Sequence, residues 1–449
     1  MEYISPAEQL AGITQEPWGL ARNELEQAAE SGKDVTAFRE RLSRLAPDDE
    51  ALLLELYEEI LAAPAPADWP YFEGSDLDDI LRESPADHRE AAVPERLADR
   101  MRGAWFGRIA GNMVGKPVEI GPTRATIRAY LDKTNAYPLT DYVPYADYSD
   151  VRDLGLWGED FWFTGATKGH VHGSVRDDDI DYTILGLHLL ETYGTSYTSW
   201  DVAHEWLSRF PAYQLFTAER ATYQNLVREI PLTRTGEHHN PYREWIGALI
   251  RADIYGYVAP GDPRRAAVLS YQDAILSHRA NGVYGEMWAA ALIASAFTAK
   301  TAQESLLTSL EHIPTRSRLA EELRTVLDDF TTGLTWDQSI DKLEARYPRM
   351  SMAHTLNNAG ALAAAILWGG GDFMTTVALS VQAGIDTDSI GATAGSWAGA
   401  FAGYDALPAH LIDPLEDTCR SAVFGFGESS ISGYADRTLK IVTTASQDT

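Results

Sequence analysis

The segment from residue 384 to residue 400 constrains the fold more than any other part of the chain. After Ile390 it consists almost entirely of Gly, Ala, Ser and Thr, and Trp397 is its one large side chain. A run of such small residues predicts a helix whose neighbours approach so closely that most side chains larger than alanine are excluded. The sequence therefore predicts a buried helix at the centre of a tightly packed domain.

A second segment has a complementary pattern. Glycine recurs at every fourth position from Gly103 to Gly115, and on a helix this spacing forms one smooth stripe. Another helix can lie very close along such a stripe. Pro117 ends the helix, and Glu119 follows in the exit loop. Glu119 is either an ordinary surface residue or, if it faces other acids, part of a site.

The first turn of the 384–400 segment carries oxygen donors. Asp386, Asp388 and Ser389 stand at the N-terminal end of the predicted helix, where free N–H groups and the helix dipole favour negative charge. Three hard oxygen donors on a rigid, buried element suit Mg²⁺, Mn²⁺ or Ca²⁺. The alternative is a plain helix cap, with Asp388 capping and Asp386 solvated.

A second acidic cluster precedes another apolar helix. Residues 177–181 hold four carboxylates within five positions, and the apolar run 184–190 follows. Carboxylates this close repel one another and raise their pKa values unless a cation neutralises them. A solvated acidic turn is the alternative.

Composition excludes several classes of function. The chain has 66 acidic and 37 basic residues, a formal net charge of −29. This charge disfavours binding to a nucleic-acid backbone or to anionic lipid. The single cysteine, Cys419, excludes an intramolecular disulfide and a cysteine-based metal site. Because neither a signal peptide nor a membrane span is recognisable, we expect a cytoplasmic protein.

The remaining pattern is helical, and the predicted fold class is all-α. Residues 1–90 predict an N-terminal helical extension, residues 91–442 the main domain, and residues 443–449 a disordered tail. No convincing series of alternating strands is present. Helices after residue 200 are predicted at 201–210, 217–229, 242–255, 264–279, 284–298, 302–312, 317–332, 335–346, 357–368 and 374–383.

Three further stretches have side chains typical of a substrate pocket. The long aromatic stretch 120–175, which includes Trp157, could stack on a ring or form an ordinary subdomain core. His172 lies in a glycine-rich turn, and His278 lies in the polar turn 277–285. Each histidine either contacts substrate or belongs to an ordinary connection.

Three motifs resemble those of the ADP-ribosylglycohydrolase family, which includes the dinitrogenase-reductase-activating glycohydrolases. Residues 111–119 resemble the family pattern Gly-Asp-x-x-Gly-x-x-x-Glu. Residues 177–183 stand at the place of Thr-Asp-Asp-Thr, and residues 386–389 resemble Asp-x-Asp-Thr followed by the same Gly/Ala helix. The stretch 247–285 is also similar to bacterial members.

The resemblance implies an orthogonal helical bundle with a binuclear centre of two Mg²⁺ or Mn²⁺ ions that meet the ribose hydroxyls of the substrate. The third motif supplies three of the implied ligands and the second motif two, with Asp181 as an alternative if the helix register is shifted. The implied ligands are Asp178, Asp179, Asp386, Asp388 and Ser389, together with that alternative.

The resemblance also implies roles beside the metals. Glu119 matches the family's acidic residue that acts in catalysis or substrate gating, and we assign Asp179 to the catalytic set with it. Asn112 replaces the family Asp, which keeps an oxygen acceptor but loses a charge. The predicted substrate-binding residues are Asn112, His172, His278 and Trp157.

The implied activity is hydrolysis of an N- or O-glycosidic bond to ribose, removing ADP-ribose from a protein or a small-molecule acceptor. Departures from the family motifs leave two alternatives. One is hydrolysis of a smaller, nucleoside-like N-glycoside. The other is a non-catalytic binding or structural protein that keeps the fold.

Overall fold

The structure, a computed structural model, describes residues 16–85, 94–119, 121–154 and 164–445. Within these residues the regular structure is almost entirely α-helical, and the one sheet is a two-stranded antiparallel hairpin. The predicted all-α fold class is confirmed.

The elements follow one another along the chain as follows. The N-terminal helices are α1 (Pro17–Glu30), α2 (Thr36–Leu42), α3 (Glu50–Ala62) and α4 (Leu77–Glu83). The main domain contains α5 (Leu97–Gly115), α6 (Arg124–Lys133), α7 (Tyr148–Val151), α8 (Asp178–Tyr193), α9 (Ser199–Arg209), α10 (Thr217–Val227), α11 (Asp253–Val258), α12 (Pro263–Ser277), α13 (Asn281–Ala296), α14 (Ala302–Leu310), α15 (Arg318–Thr331), α16 (Trp336–Arg346), α17 (Thr355–Gly369), α18 (Phe373–Gln382), α19 (Thr387–Ala402), α20 (Ala409–Ile412), strands β1 (Thr418–Arg420) and β2 (Glu428–Ser430), and α21 (Ile431–Ala445). Short 3-10 turns lie at Lys116–Val118, Arg152–Leu154, Thr164–Ala166, Gly194–Ser196, Ala212–Gln214, Leu232–Arg234, Leu249–Arg251, Tyr404–Ala406 and Asp413–Leu415.

Helices α5 and α19 pack backbone to backbone, as their small residues predict. A Cβ atom added at Gly111 would stand 2.0 Å from the carbonyl oxygen of Gly391, and one added at Gly395 would stand 2.1 Å from that of Gly107. Both distances are shorter than any van der Waals contact, so alanine at either position would push the helices apart. The glycines therefore set the separation of the two helices.

This packing also places the end of α5 beside the start of α19. The Oγ1 atom of Thr387 donates a hydrogen bond of 2.9 Å to the carbonyl oxygen of Gly115. Arg108 of α5 reaches the start of α8, where it donates to the carbonyl oxygen of Asp179 at 2.9 Å and to Thr183 Oγ1 at 2.8 Å. The ends of three helices therefore meet at one place.

The N-terminal helices attach to the main domain through buried polar contacts. Helices α1 to α3 enclose a small apolar cluster of their own, whereas Ile80 of α4 belongs to the large core of the main domain. Arg243 donates to both carboxylate oxygens of Glu24 at 2.7 Å, and Gln27 donates to Glu244 at 2.9 Å. The predicted extension is helical in its described part, and its last helix shares the main core.

Nine of the ten helices predicted after residue 200 are present with ends within three residues, and the prediction at 242–255 is wrong. There the chain forms turns and a short 3-10 segment before α11 begins at Asp253, and two of its backbone hydrogen bonds join it to a distant segment. Ile246 donates to the carbonyl oxygen of Ala353 at 2.7 Å, and Thr355 donates to that of Glu244 at 3.1 Å.

Two features near the C-terminus also differ from the sequence expectation. The β1–β2 hairpin was not predicted. Residues 443–445, expected in a disordered tail, complete α21, while 446–449 lie outside the described residues. None of the described helices is both long and apolar enough to cross a lipid bilayer.

Candidate metal centre

The three converging helix ends bring five carboxylates together. Glu119, Asp386 and Asp388 form one group in which carboxylate oxygens lie within 4.8 Å of one another. Asp177, Asp179 and Asp388 form a second group by the same measure. Because Asp388 belongs to both groups, the arrangement offers two neighbouring positions for cations.

The helix starts hold these acids in different ways. Asp177 caps α8, since its Oδ1 atom accepts a hydrogen bond of 3.0 Å from the backbone N–H of Asp179. Asp386 precedes α19 without capping it, and its backbone N–H donates to Asn358 Oδ1 at 3.2 Å. Asp388 accepts from the N–H of Ser389 at 3.0 Å. The side chain of Asp386 instead lies within hydrogen-bonding reach of Asp388 and Ser389 in the first turn of α19.

One lysine reaches into the acids. The ammonium nitrogen of Lys116 lies 2.6 Å from Glu119 Oε2, 2.5 Å from Asp177 Oδ2 and 2.8 Å from Asp388 Oδ2. The lysine side chain is only 9% exposed, so these contacts lie in a region of weak solvent screening. Lys116 was not among the site residues predicted from the sequence.

The pKa values of most acids in the centre differ from the usual carboxyl values. Burial is the largest cause of the raised pKa of Glu119, Asp179 and Asp386, which all stand well above the usual carboxyl range. Repulsion raises them further, from Asp388 on Glu119 and Asp386, and from Asp177 on Asp179. The centre therefore has more carboxylates than the nearby positive charge can neutralise.

Asp177 is the exception. Burial acts to raise the pKa of Asp177, but the Lys116 ammonium, the charge of Arg176 and the backbone N–H of Asp179 together outweigh burial, and the pKa falls below its usual value. This carboxylate is the member of the centre that is ionised most readily.

Asp179 lies where two predicted site residues meet. The amide of Asn112 donates to Asp179 Oδ2 at 3.0 Å, and the hydroxyl of Ser389 donates to Asp179 Oδ1 at 3.1 Å. The structure thus brings Asn112, Asp179 and Ser389 together. The two donors fix the orientation of the carboxylate.

Most of the chain matches a known protein family. The family model described as ADP-ribosylglycohydrolase matches residues 93–447. The chain belongs to the ADP-ribosylglycohydrolase family. Family membership indicates a glycosidic hydrolase activity, and the acidic groups described above are compatible with a metal site.

Solved structures and curated proteins provide less information about this chain than the family match does. Among solved structures, one titled "ADP-ribosylglycohydrolase-related protein complex" is similar with a TM-score of 0.47 and 16% sequence identity, over 77% of this chain and 99% of that chain. No curated protein matches the chain.

The two remaining acids of the second family motif point in different directions. Asp178 is not a member of either carboxylate group described above, and burial, followed by repulsion from Asp177, raises its pKa to about 7. Asp181 is turned elsewhere, since it accepts from Arg176 Nε at 2.7 Å and from Ser421 Oγ at 2.7 Å. Residues two apart on a helix do not share a face, which explains why Asp179 and Asp181 separate.

The other predicted substrate contacts are not assembled with the acids. His172 is 76% exposed and lies 3.2 Å from Glu416. His278 is fully buried, and its ring makes a hydrogen bond of 2.7 Å with Ser277 Oγ. Trp157 lies outside the described residues. Roles for these three residues in substrate binding stay predictions.

Three residues of the candidate centre were not assigned from sequence. Asp177 had a usable signal, since it is the first acid before an apolar helix and stands where a cap is expected. Lys116 had a weaker one, as a lysine three residues before Glu119. Asn358 had none, because it lies 28 positions from Asp386 and meets it only through folding.

Proposed function

We propose that the protein is a divalent-metal-dependent glycohydrolase that cleaves a glycosidic bond between ribose and a nitrogen or oxygen atom, releasing ADP-ribose from a protein or small-molecule acceptor. The observation that carries the proposal is the pair of overlapping carboxylate groups that share Asp388. They lie in a chain that matches the glycohydrolase family. An acidic chain with one cysteine suits the cytoplasm as its compartment.

The side chains present fit Mg²⁺ or Mn²⁺. The candidate ligands are carboxylate and hydroxyl oxygens, which these hard cations prefer, and neither carboxylate group includes a thiol. Five carboxylates form the two groups: Glu119, Asp177, Asp179, Asp386 and Asp388. Within the described residues, Lys116 is the one Lys or Arg side chain that forms an ion pair with any of them. Burial, followed by repulsion between carboxylates, raises the pKa values of Glu119, Asp179 and Asp386, and added positive charge would lower them. The residues proposed to hold the metal are Asp178, Asp179, Asp386, Asp388 and Ser389, with Asp177 added from the geometry.

The chemistry calls for a positioned ribose and an activated water. Cleavage at the anomeric carbon passes through a state with oxocarbenium character. A divalent cation, when bound, contributes Lewis acidity toward the ribose hydroxyls and lowers the pKa of a water molecule. The protein's own part is to hold the sugar, orient the water and move its proton.

Glu119 is our candidate for the proton transfer. Its side chain is 18% exposed, whereas those of Asp177 and Asp388 are 1% and 3% exposed. A general base must reach the water that it deprotonates, and among these three carboxylates Glu119 is the most accessible. Lys116 holds the Oε2 atom of Glu119, which leaves the Oε1 atom for a hydrogen bond to water.

Asp179 joins Glu119 in the proposed catalytic set through its fixed orientation. Asn112 and Ser389 each hold one of its oxygens. Hydrogen bonds of this kind orient a metal-binding carboxylate and set its basicity. Asn112 therefore serves the site as a positioning residue for Asp179.

The test is release of ADP-ribose from an ADP-ribosylated protein in the presence of Mg²⁺ or Mn²⁺. We expect turnover by the wild-type protein, no turnover after EDTA treatment, and a loss of more than about 100-fold in Asp388→Asn. Asp181→Asn is the matched control, because Asp181 binds Arg176 and Ser421 rather than the centre. Wild-type turnover by Asp388→Asn would overturn the site. Turnover of a nucleoside-like N-glycoside alone would overturn the ADP-ribose assignment.

A further inference from the structure

We propose that Lys116 is a resident cation of the centre, so that the protein holds one divalent ion tightly and admits a second only when the lysine ammonium withdraws. This inference rests on the proposed function, because it concerns the metal centre. It adds to the proposed function how many divalent ions the protein binds, and it assigns control of that number to Lys116.

The position of the ammonium carries the inference. Its three carboxylate partners comprise Glu119 from the first group, Asp177 from the second group, and Asp388, which the two groups share. The ammonium therefore stands at the junction of the two candidate positions. A divalent ion at that junction would bind the same oxygens at about 2.1 Å, and one place cannot hold both cations.

The backbone directs the lysine to this place. Lys116 begins the 3-10 turn that follows α5, and it stands between Gly115 and Pro117. A Cβ atom at Gly115 would stand 2.1 Å from the carbonyl oxygen of Thr387, so the backbone there is fixed against α19. Only rotation within the flexible lysine side chain can move the ammonium away from Asp388.

The charge near the junction supports the same conclusion. Lys116 contributes one positive charge, and Asn112 presents a neutral amide to Asp179. An acid at position 112 and a neutral side chain at position 116 would make the centre more negative by two charges. Two charges are those of one divalent ion, so these two side chains substitute electrostatically for a second metal.

The experiment counts Mn²⁺ ions bound per chain by calorimetric titration and records the electron paramagnetic resonance spectrum. We expect the wild-type protein to bind one ion tightly and to give the spectrum of an isolated Mn²⁺. We expect Lys116→Met to bind two ions with a coupled spectrum, the second at least about tenfold more tightly than in the wild type. Lys133→Met is the matched control, since Lys133 forms an exposed pair with Asp153, and it should bind one ion.

Two outcomes separate the inference from the function on which it rests. Two tight ions in the wild-type protein would overturn the inference and leave the proposed metal centre intact. No ion in either protein would overturn the metal centre, and the inference with it. If Lys116→Met does not fold, Lys116→Gln replaces it, and the wild-type count alone still decides between one ion and two.

Discussion

Two buried acidic clusters lie in the main domain, and they differ in how their charge is balanced. In the first, Lys116 faces Glu119, Asp177 and Asp388 at converging helix ends. The second surrounds Arg251 and is sealed. The carboxylates of this second cluster are Glu219, Asp273 and Glu286, and all are 7% exposed or less.

The sealed cluster has a well-matched cation. Arg251 donates to Glu219 at 2.5 Å, to Asp273 at 3.1 Å and to Ser277 Oγ at 3.0 Å. A guanidinium group presents several donors in a fixed plane, so one arginine can bind several acceptors at once. His278 lies beside this cluster, 3.9 Å from Glu219. Its surroundings are those of a packed interior.

The first cluster, around Lys116, is called the open cluster here. Its cation, an ammonium group, is smaller than the guanidinium group of Arg251, and it holds more carboxylates than the sealed cluster. Its carboxylates come from helix N-termini and from the loop after α5, and Glu119 reaches solvent. Burial and close carboxylates alone therefore do not identify a functional site. Access to solvent and a larger excess of carboxylates over positive charge, five with one lysine against three with one arginine, distinguish the candidate centre from the structural cluster.

The largest effect is expected from removing the cation of the sealed cluster. Arg251→Met leaves three buried carboxylates without a cation, which we expect to lower the free energy of unfolding by about 3–5 kcal/mol. Lys116→Met should lower it less, since Glu119 is partly solvated and added Mn²⁺ restores positive charge. Urea unfolding with and without Mn²⁺ measures both variants. Equal losses that Mn²⁺ does not change would remove the distinction between the clusters.

An intermediate effect is expected from separating the helices that form the open cluster. The Cβ atom of Gly111→Ala would meet the carbonyl oxygen of Gly391, and such overpacking costs about 1–3 kcal/mol. Lys116 and Glu119 directly follow α5, so a shift of this helix would move both side chains. The affinity of the centre for metal should therefore fall as well. Gly427→Ala is the control, since no atom lies within 4 Å of its added Cβ. Unchanged stability and metal affinity in Gly111→Ala would show that the close packing does not position the centre.

The smallest effect is expected from neutralising an acid of the sealed cluster. Burial, followed by repulsion from Asp273, raises the pKa of Glu286 well above its usual value. The favourable contribution of its protonated form is therefore present at low pH and lost as pH rises through the folded-state pKa. Glu286→Gln lacks this loss, so its stability relative to the wild type should grow with pH above about 4.5.

Glu286→Gln and Asp388→Asn are expected to differ in enzymatic turnover. Glu286→Gln should retain wild-type turnover, whereas Asp388→Asn should lose it, although both changes replace a buried carboxylate by an amide of similar shape. Unfolding at pH 5 and pH 8, together with the ADP-ribose assay, measures the pair. Lost turnover in a well-folded Glu286→Gln would show that the sealed cluster takes part in function.

The sequence predicted the elements of the centre better than their contacts. The glycine stripe from Gly103 to Gly115 and the small residues after Ile390 indicated a close helix pair, because only small residues permit it. Which side chain points into the centre was harder to predict. Lys116 meets Asp388 across 272 positions, and no local pattern shows where a flexible side chain ends.

The wrong helix at 242–255 and the burial of the turn around His278 have the same origin. The apolar spacing of 242–255 is compatible with a helix, but backbone pairing with the distant segment 353–355 interrupts the helical hydrogen-bond pattern at 244–246. The turn around His278 looked polar, yet it is buried because Arg251 and its acids bind there. In both places long-range contacts overrode the local signal.

Thermal unfolding of the wild-type protein and of Asp388→Asn, each with EDTA and then with Mn²⁺, tests the metal centre most directly. Binding to the folded state stabilises it, by about 2.7 kcal/mol when the free ion is at 100 times its dissociation constant. We expect Mn²⁺ to raise the melting temperature of the wild-type protein and to leave that of Asp388→Asn nearly unchanged. Equal rises in both proteins, or no rise in the wild type, would show that these acids do not form a metal centre.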